Sequence, residues 1–149
     1  MRYVLIIFSL LLISCERQSV TLEELEDKHN LFYLKSTGKL FTGNVESYLY
    51  KNGYIKKGKI EGEWKEFYDN GQPWHKGNYK VGKRNGYWQG FWKDGTIRWD
   101  GNYIDDKEEG KFFHYTREGK VGISTIYENG KLKRKEIFKD GKLIERIEY

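Results

Sequence analysis

An internal repeat constrains the fold of this 149-residue chain more than any other feature. Residues 62–85, 86–109 and 110–133 align without gaps. The matching positions are Gly62, Gly86 and Gly110; Trp64, Trp88 and Phe112; Phe67, Phe91 and Tyr115; Gly71, Gly95 and Gly119; Tyr79, Tyr103 and Tyr127; and Lys83, Lys107 and Lys131. A shorter copy precedes them at about residues 43–61, and a partial copy follows at 134–149. Such a regular period predicts stacked units that share one continuous core.

Each unit has the pattern of a β-hairpin, with aromatic and polar residues alternating as in strands. Asparagine or aspartate followed by glycine supplies the positive φ that two-residue hairpin turns require. These dipeptides are Asn52-Gly53, Asn70-Gly71, Asp94-Gly95, Asn129-Gly130 and Asp140-Gly141. The link to the next hairpin, as at residues 80–86, is expected to be a longer loop. We therefore predict an all-β fold, an elongated antiparallel meander of hairpins of about 24 residues each.

Glycines two residues before the repeat tyrosines indicate how the rings pack. Gly77 shares a strand face with Tyr79, and Gly101 shares one with Tyr103, because side chains alternate along a strand. A glycine there lets a neighbouring ring lie flat over the backbone, at a cost in strand propensity. Rings occur on both faces, so the pattern does not decide which face is buried.

The repeat pattern is G-x-W-x-x-F/Y-aromatic-x-N/D-G followed by G-x-Y-x-x-G-K, and it resembles the bacterial variant of the MORN repeat. The arrangement over about residues 31–142 resembles the YwqK-type toxin–antitoxin antitoxin family, which also opens with a segment like residues 31–43. The resemblance implies an elongated single sheet and a role in protein interaction or membrane association. Thr125 departs from the repeat glycine, and Asp106 replaces a loop glycine.

The N-terminus has the proportions of a secretory signal, with Arg2 before an apolar run at residues 4–13. The run is too short to span a membrane, which takes about 20 residues. Its end, residues 12–15, resembles the bacterial lipobox. That resemblance implies cleavage between Ser14 and Cys15 and a lipid on the Cys15 sulfur. The alternative is an apolar core helix in which the cysteine is accidental.

The lipobox resemblance also implies a location. It predicts a signal peptide at residues 1–14, a lipid-anchored tether at 15–30 and the repeat domain at 31–149. Stable anchoring needs more than one acyl chain, and the resemblance implies a diacylglyceryl thioether with a further chain such as palmitate. Glu16 follows the cysteine. We expect a bacterial cell-envelope protein, in the outer membrane and facing the periplasm or the surface if there are two membranes.

The tether contains a helix start signal. Thr21 can act as N-cap with Glu24 completing a capping box, and Val20 can pack on Leu25 as a hydrophobic staple. A helix of about nine residues is marginal alone. We therefore expect a short N-terminal helix that docks on the repeats or is partly formed.

The sequence favours a non-enzymatic protein without metal or cofactor. His75 and His114 fall at different repeat offsets, and no cysteine or histidine spacing suits zinc. Residues 80–86 contain glycines but lack the following helix of a phosphate-binding loop. The net charge of +5 is mild for a nucleic-acid binder, and export makes nucleic acid a poor candidate partner.

The aromatic residues support two interpretations. The tryptophans Trp64, Trp74, Trp88, Trp92 and Trp99 form either the core of a thin sheet or an exposed surface that binds a partner. Trp74 is the best candidate for exposure, since it points opposite to Tyr79 and Arg98 takes its place in the next unit. Exposed tryptophan and tyrosine are typical of protein-binding hot spots.

Two functional hypotheses follow from these interpretations. The first is an envelope-anchored protein-interaction module, either antitoxin-like or a scaffold. Behind a lipobox, an antitoxin would be an immunity protein that intercepts a toxin in the periplasm. The alternative is a lipoprotein that binds glycan or lipid headgroups through exposed tryptophan and tyrosine.

Overall fold

A computed structural model describes residues 19–47 and 51–149, and the structural statements below concern those residues. The predicted signal peptide and the lipid attachment at Ser14 and Cys15 lie outside them. The described strands are β1 Ser19–Val20, β2 Leu25–Lys28, β3 Leu31–Leu34, β4 Lys39–Leu40, β5 Gly43–Glu46, β6 Lys51–Lys56, β7 Lys59–Phe67, β8 Pro73–Lys80, β9 Lys83–Arg84, β10 Gly86–Phe91, β11 Ile97–Ile104, β12 Lys107–Tyr115, β13 Val121–Glu128, β14 Lys131–Lys139 and β15 Lys142–Glu148.

The main sheet has 12 strands and confirms the predicted antiparallel meander. Its order is β1-β5-β6-β7-β8-β10-β11-β12-β13-β14-β15, with the short β9 paired to β8. Within it, β1 pairs with β5 in parallel, and neighbours from β5 to β15 run antiparallel. A separate small sheet is formed by β2, β3 and β4.

The prediction of a short N-terminal helix is wrong. Leu22–Glu24 form one turn of 3-10 helix, and the chain continues directly into β2. The capping signal itself is used, since the backbone N–H of Thr21 donates to the Glu24 carboxylate at 2.8 Å. Val20 and Leu25 are both buried, each 6% exposed, against the first repeat strands. Residues 19–30 therefore belong to the folded body, because these two apolar side chains gain more from burial than an isolated helical turn could supply.

The small sheet docks on the first tight turn of the main sheet. The backbone N–H of Phe32 donates to the carbonyl of Gly58 at 2.8 Å, and the N–H of Gly58 donates to the carbonyl of Phe41 at 2.8 Å. Phe41 is only 2% exposed and packs in the same cluster as Ile55 and Trp64. The N-terminal segment thus covers one end of the repeat array.

Of the five predicted two-residue turns, Asn129-Gly130 and Asp140-Gly141 are confirmed, and Asp94-Gly95 lies instead in a three-residue loop closed by Trp92 N–H to the Thr96 carbonyl at 2.8 Å. Tight two-residue turns with positive φ at both positions occur at Lys57-Gly58, Val81-Gly82, Asp105-Asp106, Asn129-Gly130 and Asp140-Gly141. The predicted turn at Asn70-Gly71 belongs instead to a three-residue loop, closed by Tyr68 N–H to the Gln72 carbonyl at 2.8 Å. Its glycine takes the left-handed position after a type I turn. Asn52-Gly53 is not a turn at all, because both residues lie inside β6.

One face of the sheet carries a continuous ladder of aromatic rings. Its members are Trp64, Tyr79, Trp88, Tyr103, Phe112 and Tyr127. Successive ring centroids are 5.1 to 6.4 Å apart with interplanar angles from 75° to 90°. This edge-to-face geometry stabilises each pair by about 0.5–1.5 kcal/mol beyond area burial. We call this side the ladder face, and it is the buried one.

Glycines beneath the rings make the ladder possible, as the sequence predicted. The ring of Trp88 lies over Gly77, and the ring of Phe112 lies over Gly101. A side chain at either glycine would occupy the same space as the ring. A thin sheet without a second layer can therefore bury these rings against its own backbone.

The ladder ends where the bulge glycine is missing. Gly110 has φ of 72°, and β12 there carries two extra residues opposite β11. Arg134 stands at the equivalent position one repeat later, and β14 carries one extra residue opposite β13. A one-residue difference in register moves side chains to the other face. Glu136, the repeat equivalent of Phe112, therefore pairs with Ser124 on the face opposite the ladder.

Candidate functional site

The structure separates the five candidate tryptophans into core and surface. Trp64 and Trp88 are 1% and 4% exposed, so they are core residues and are unavailable to a partner. Trp99 is partly buried and packs against the ladder. Trp92 is partly buried, and Trp74 is 41% exposed. The candidate surface therefore involves Trp74 and Trp92, on strands and turns away from the ladder.

The three-residue loops stack along one side of the sheet, which we call the loop side. They are centred on residues 69–71, 93–95 and 117–119 and follow the repeat. The side-chain amide of Asn70 donates to the Lys93 carbonyl at 2.8 Å, and the Tyr68 hydroxyl donates to the Phe91 carbonyl at 2.8 Å. These hydrogen bonds join the first loop to the second, so the two loops keep a fixed position relative to each other.

Aromatic rings and cations alternate on the loop side. Two guanidinium groups lie over the ring of Trp92, with Arg98 at 4.7 Å and Arg117 at 4.4 Å from the ring centroid. One repeat earlier, Tyr68 packs against Trp74 at 6.2 Å, and the Lys93 ammonium lies 5.7 Å from the Tyr68 centroid. The set Tyr68, Trp74, Trp92, Arg98 and Arg117 is hereafter the aromatic ridge.

Ion pairs fix two cations of the loop side. The Lys93 ammonium lies 3.0 Å from a carboxylate oxygen of Asp69, and the Arg117 guanidinium lies 3.2 Å from a carboxylate oxygen of Asp94. Hydrogen bonding from Lys93 lowers the pKa of Asp69, and hydrogen bonding from Thr96 lowers the pKa of Asp94. Both carboxylates are exposed, so these pairs contribute little to stability and chiefly offset the charge of the cations.

A second polar group lies on the ladder face at the edge of the rings. The Trp64 indole donates to a Glu66 carboxylate oxygen at 3.3 Å, and the Lys51 ammonium lies 3.2 Å from the same oxygen. The His75 imidazole lies 3.9 Å from the other oxygen. The imidazole, followed by Lys51 and Trp64, lowers the pKa of Glu66 to about 2. This group closes the core beside Trp64.

On the opposite side of the sheet, which we call the outer face, Asp100 joins two tyrosines. The Tyr87 hydroxyl donates to an Asp100 carboxylate oxygen at 2.6 Å, and the Tyr115 hydroxyl donates to the same oxygen at 3.3 Å. Burial and the bond to Asp100 raise the pKa of Tyr87 to about 12. The Tyr87 residue is nevertheless 48% exposed, so a well-oriented ring faces solvent.

The two histidines considered as candidate metal ligands, His75 and His114, lie apart in the structure. His114 lies on β12, where burial lowers its pKa, and the strands β10 and β11 separate it from His75 on β8. Among residues 19–47 and 51–149, no group of three or more acidic, histidine or cysteine side chains could hold a metal ion. In the same ranges, no helix has the length and apolar character needed to cross a membrane.

Sequence reasoning missed the two arginines that lie over the ring of Trp92. Their signal was present in the repeat, since Trp92 is the repeat equivalent of Tyr68 and Arg117 is the repeat equivalent of Lys93. Each pair of equivalent positions forms a cation over a ring. Contacts between neighbouring loops could therefore have been inferred from the period.

A meander of hairpins with aromatic rings over glycines defines a repeat protein built of short β-units. Comparison with family models places the MORN repeat variant at residues 60–80 and 124–140. These two segments therefore match the MORN repeat variant, and the predicted repeat type is confirmed for them. The first matched segment contains most of β7 and all of β8, and the second contains most of β13 and all of β14.

Other comparisons add little. No curated protein matches the chain. Among solved structures, the chain is similar to one titled "Crystal Structure of TarM", at 14% identity and a TM-score of 0.23. The match covers 83% of this chain and 21% of that chain, so this chain spans about a fifth of its length. Similarity at this level does not establish a shared fold.

Proposed function

We propose that this protein is a non-enzymatic protein-interaction module, held at the bacterial cell envelope, whose partner docks on the aromatic ridge. One observation carries the proposal: Arg98 and Arg117 lie over the ring of Trp92, and Trp74, which packs against Tyr68 of the preceding loop, is 41% exposed. Tryptophan, tyrosine and arginine are the residue types that dominate binding energy at protein interfaces.

Rigidity of the ridge supports this function. The bonds from Asn70 and Tyr68 to the next loop hold the Tyr68 ring and join the two loops before any partner arrives. Binding to an ordered surface avoids the free-energy cost of immobilising side chains, about 0.5–1.5 kcal/mol for each. A repeat-built loop side can therefore bind with modest contact area.

Charge on the ridge indicates the chemistry of the partner. Arg98, Arg117 and Lys93 place three cations beside the rings, and because Asp94 and Asp69 pair with two of them, the net charge of the set is +1. Carboxylates on a partner would be complementary to these cations and would speed association at low salt. We infer an acidic protein partner.

The finer proposal of an antitoxin-like immunity protein or scaffold rests on the sequence. The lipobox resemblance at Cys15 would place the module outside the cytoplasm and anchor it by lipid. An immunity protein there would intercept a toxin before it reaches its target. The basic, aromatic ridge is compatible with that role.

Binding of glycan or lipid headgroups is the alternative, because exposed Trp74 could also contact a sugar or an acyl interface. A capture experiment distinguishes these functions. The full chain, kept in mild detergent, is immobilised and exposed to envelope extract, and bound species are identified by mass spectrometry. Trp74→Ala and Arg117→Ala are compared with Ile104→Ala, which alters a 55% exposed residue at the opposite end of β11 from the loop side.

The proposal predicts one acidic protein that the wild type and Ile104→Ala retain in near-equal amount. Trp74→Ala and Arg117→Ala should reduce its retention at least about tenfold, the equivalent of about 1.4 kcal/mol. Retention of muropeptides or lipids without any protein would support the alternative. Retention of a protein that is insensitive to both ridge variants would refute the ridge as its docking surface.

A further inference from the structure

A shallow hollow lies on the outer face, next to the ridge but distinct from it. Its volume is about 260 Å³, and its lining comes from three neighbouring strands. The lining residues are Glu63 of β7, Lys76, Gly77 and Asn78 of β8, and Tyr87 and Gln89 of β10. Gly77 has the Trp88 ring on its other side, so its bare backbone forms the floor of the hollow.

The aromatic wall of the hollow is held in place. Tyr87 is 48% exposed, and the strong bond from its hydroxyl to Asp100 at 2.6 Å fixes the ring. A single exposed ring is normal on a protein surface, but this one is oriented by a hydrogen bond and borders the hollow. An ordered, exposed ring at the edge of a polar hollow is therefore suited to stacking.

The polar lining offers both donors and acceptors. The amides of Asn78 and Gln89 supply both kinds of group, Lys76 supplies donors and Glu63 supplies acceptors. Glu63 is ion-paired with Lys65 at 3.0 Å, so Lys76 supplies the remaining positive charge at the hollow. Ligand pockets for drug-sized molecules usually have about 300–1,000 Å³, so this hollow has room for one ring-sized group.

We propose that this hollow binds one pyranose ring of an oligosaccharide. The apolar C–H face of the sugar stacks on Tyr87, while its hydroxyl groups bond to the side chains of Asn78, Gln89 and Lys76. The open outer face lets the rest of the oligosaccharide extend along the sheet. This site is independent of the protein partner proposed for the ridge.

The test uses the full chain in mild detergent and two uncharged probes, maltotetraose and chitotetraose. Titration is followed by NMR, reading the side-chain amide signals of Asn78 and Gln89. We expect at least one probe to bind saturably with a Kd of about 1 mM or tighter. Tyr87→Ala should weaken this binding at least about tenfold, while Tyr87→Phe, which keeps the ring, should stay within about threefold.

Controls make the result specific to the hollow. Ile104→Ala, on the next strand of the sheet, should bind the probe as the wild type does, and thermal unfolding verifies that each variant is folded. Lack of saturable binding by both probes would overturn the proposal, as would binding that Tyr87→Ala leaves unchanged. The Tyr87→Ala variant should still capture the protein partner, because Tyr87 is not part of the ridge. A failure of the sugar site can therefore be told apart from a failure of the ridge.

Discussion

The indole ring of Trp88 lies directly on the backbone of Gly77, in the space that a β-carbon at that glycine would occupy. The same relationship joins Trp64 to Gly53 and Phe112 to Gly101. Each ring therefore uses the missing side chain of a neighbouring strand as its packing surface. This relationship explains how one sheet buries its aromatic residues and leaves its outer face and loop side available for binding.

A methyl group at Gly77 should disrupt this packing. Gly77→Ala forces Trp88 or the backbone to move, and overpacking of this kind costs about 1–3 kcal/mol of unfolding free energy. Gly122→Ala is the matched control, because Gly122 also lies in a strand and its nearest neighbour, a Thr116 methyl, would be an ordinary 3.4 Å away. Urea unfolding measures both. Equal destabilisation of the two variants would contradict the ring-over-glycine account.

Core and surface tryptophans should differ in stability effect. Trp64 is 1% exposed, so Trp64→Ala leaves a large cavity and should cost about 3–5 kcal/mol. Trp74→Ala removes a 41% exposed ring and should cost about 1 kcal/mol or less. Thermal or urea unfolding gives both values. A larger loss of unfolding free energy for Trp74→Ala than for Trp64→Ala would contradict the assignment of the ladder face as the buried face.

Acid should weaken the fold through Glu66. Its folded pKa of about 2 lies below the usual 4.5, so its stabilising effect is complete above pH 4.5 and is lost as the pH falls toward 2. Glu66→Gln should lower stability at pH 6 and should flatten the dependence on pH between 4.5 and 2. Urea midpoints across this range test it, with Glu63→Gln, on the same strand but exposed, as control. An unchanged acid dependence in Glu66→Gln would refute the assignment.

The pairing of β13 and β14 should depend on Glu136. Its carboxylate accepts a bond from the Ser124 hydroxyl at 3.0 Å and lies 2.9 Å from the Arg146 guanidinium, so Glu136→Ala leaves both groups without their partner. Glu148→Ala breaks an exposed ion pair to Arg134 and should matter less, because exposed pairs contribute little. Hydrogen exchange of the β13 and β14 amides compares them. Faster exchange in Glu148→Ala than in Glu136→Ala would contradict this prediction.

The repeat made much of the fold predictable. Hairpin units and the role of Gly77 and Gly101 followed from the period and from strand alternation, and both are confirmed. Exposure of Trp74 followed from the same alternation. These features depend on local spacing, which a sequence displays directly.

Features that depend on competition between elements were not predictable. Asn70-Gly71 has the best two-residue turn signal, yet Val81-Gly82 forms the tight turn, because strand register places the reversal there against the intrinsic preference of valine. The predicted N-terminal helix does not form, because Val20 and Leu25 are buried against the sheet instead. The choice of buried face depended on contacts between neighbouring units.

Oxidative footprinting of the folded, full chain tests the central claim most directly, because it reads the exposure of each tryptophan by mass spectrometry. The account predicts rapid modification of Trp74 and strong protection of Trp64 and Trp88, with Trp74 and Trp92 becoming slower when the captured protein partner is added. Equal reactivity of Trp64, Trp88 and Trp74 in the folded chain would contradict the ladder as the core. A Trp74 rate that the partner leaves unchanged would contradict the ridge as the docking surface.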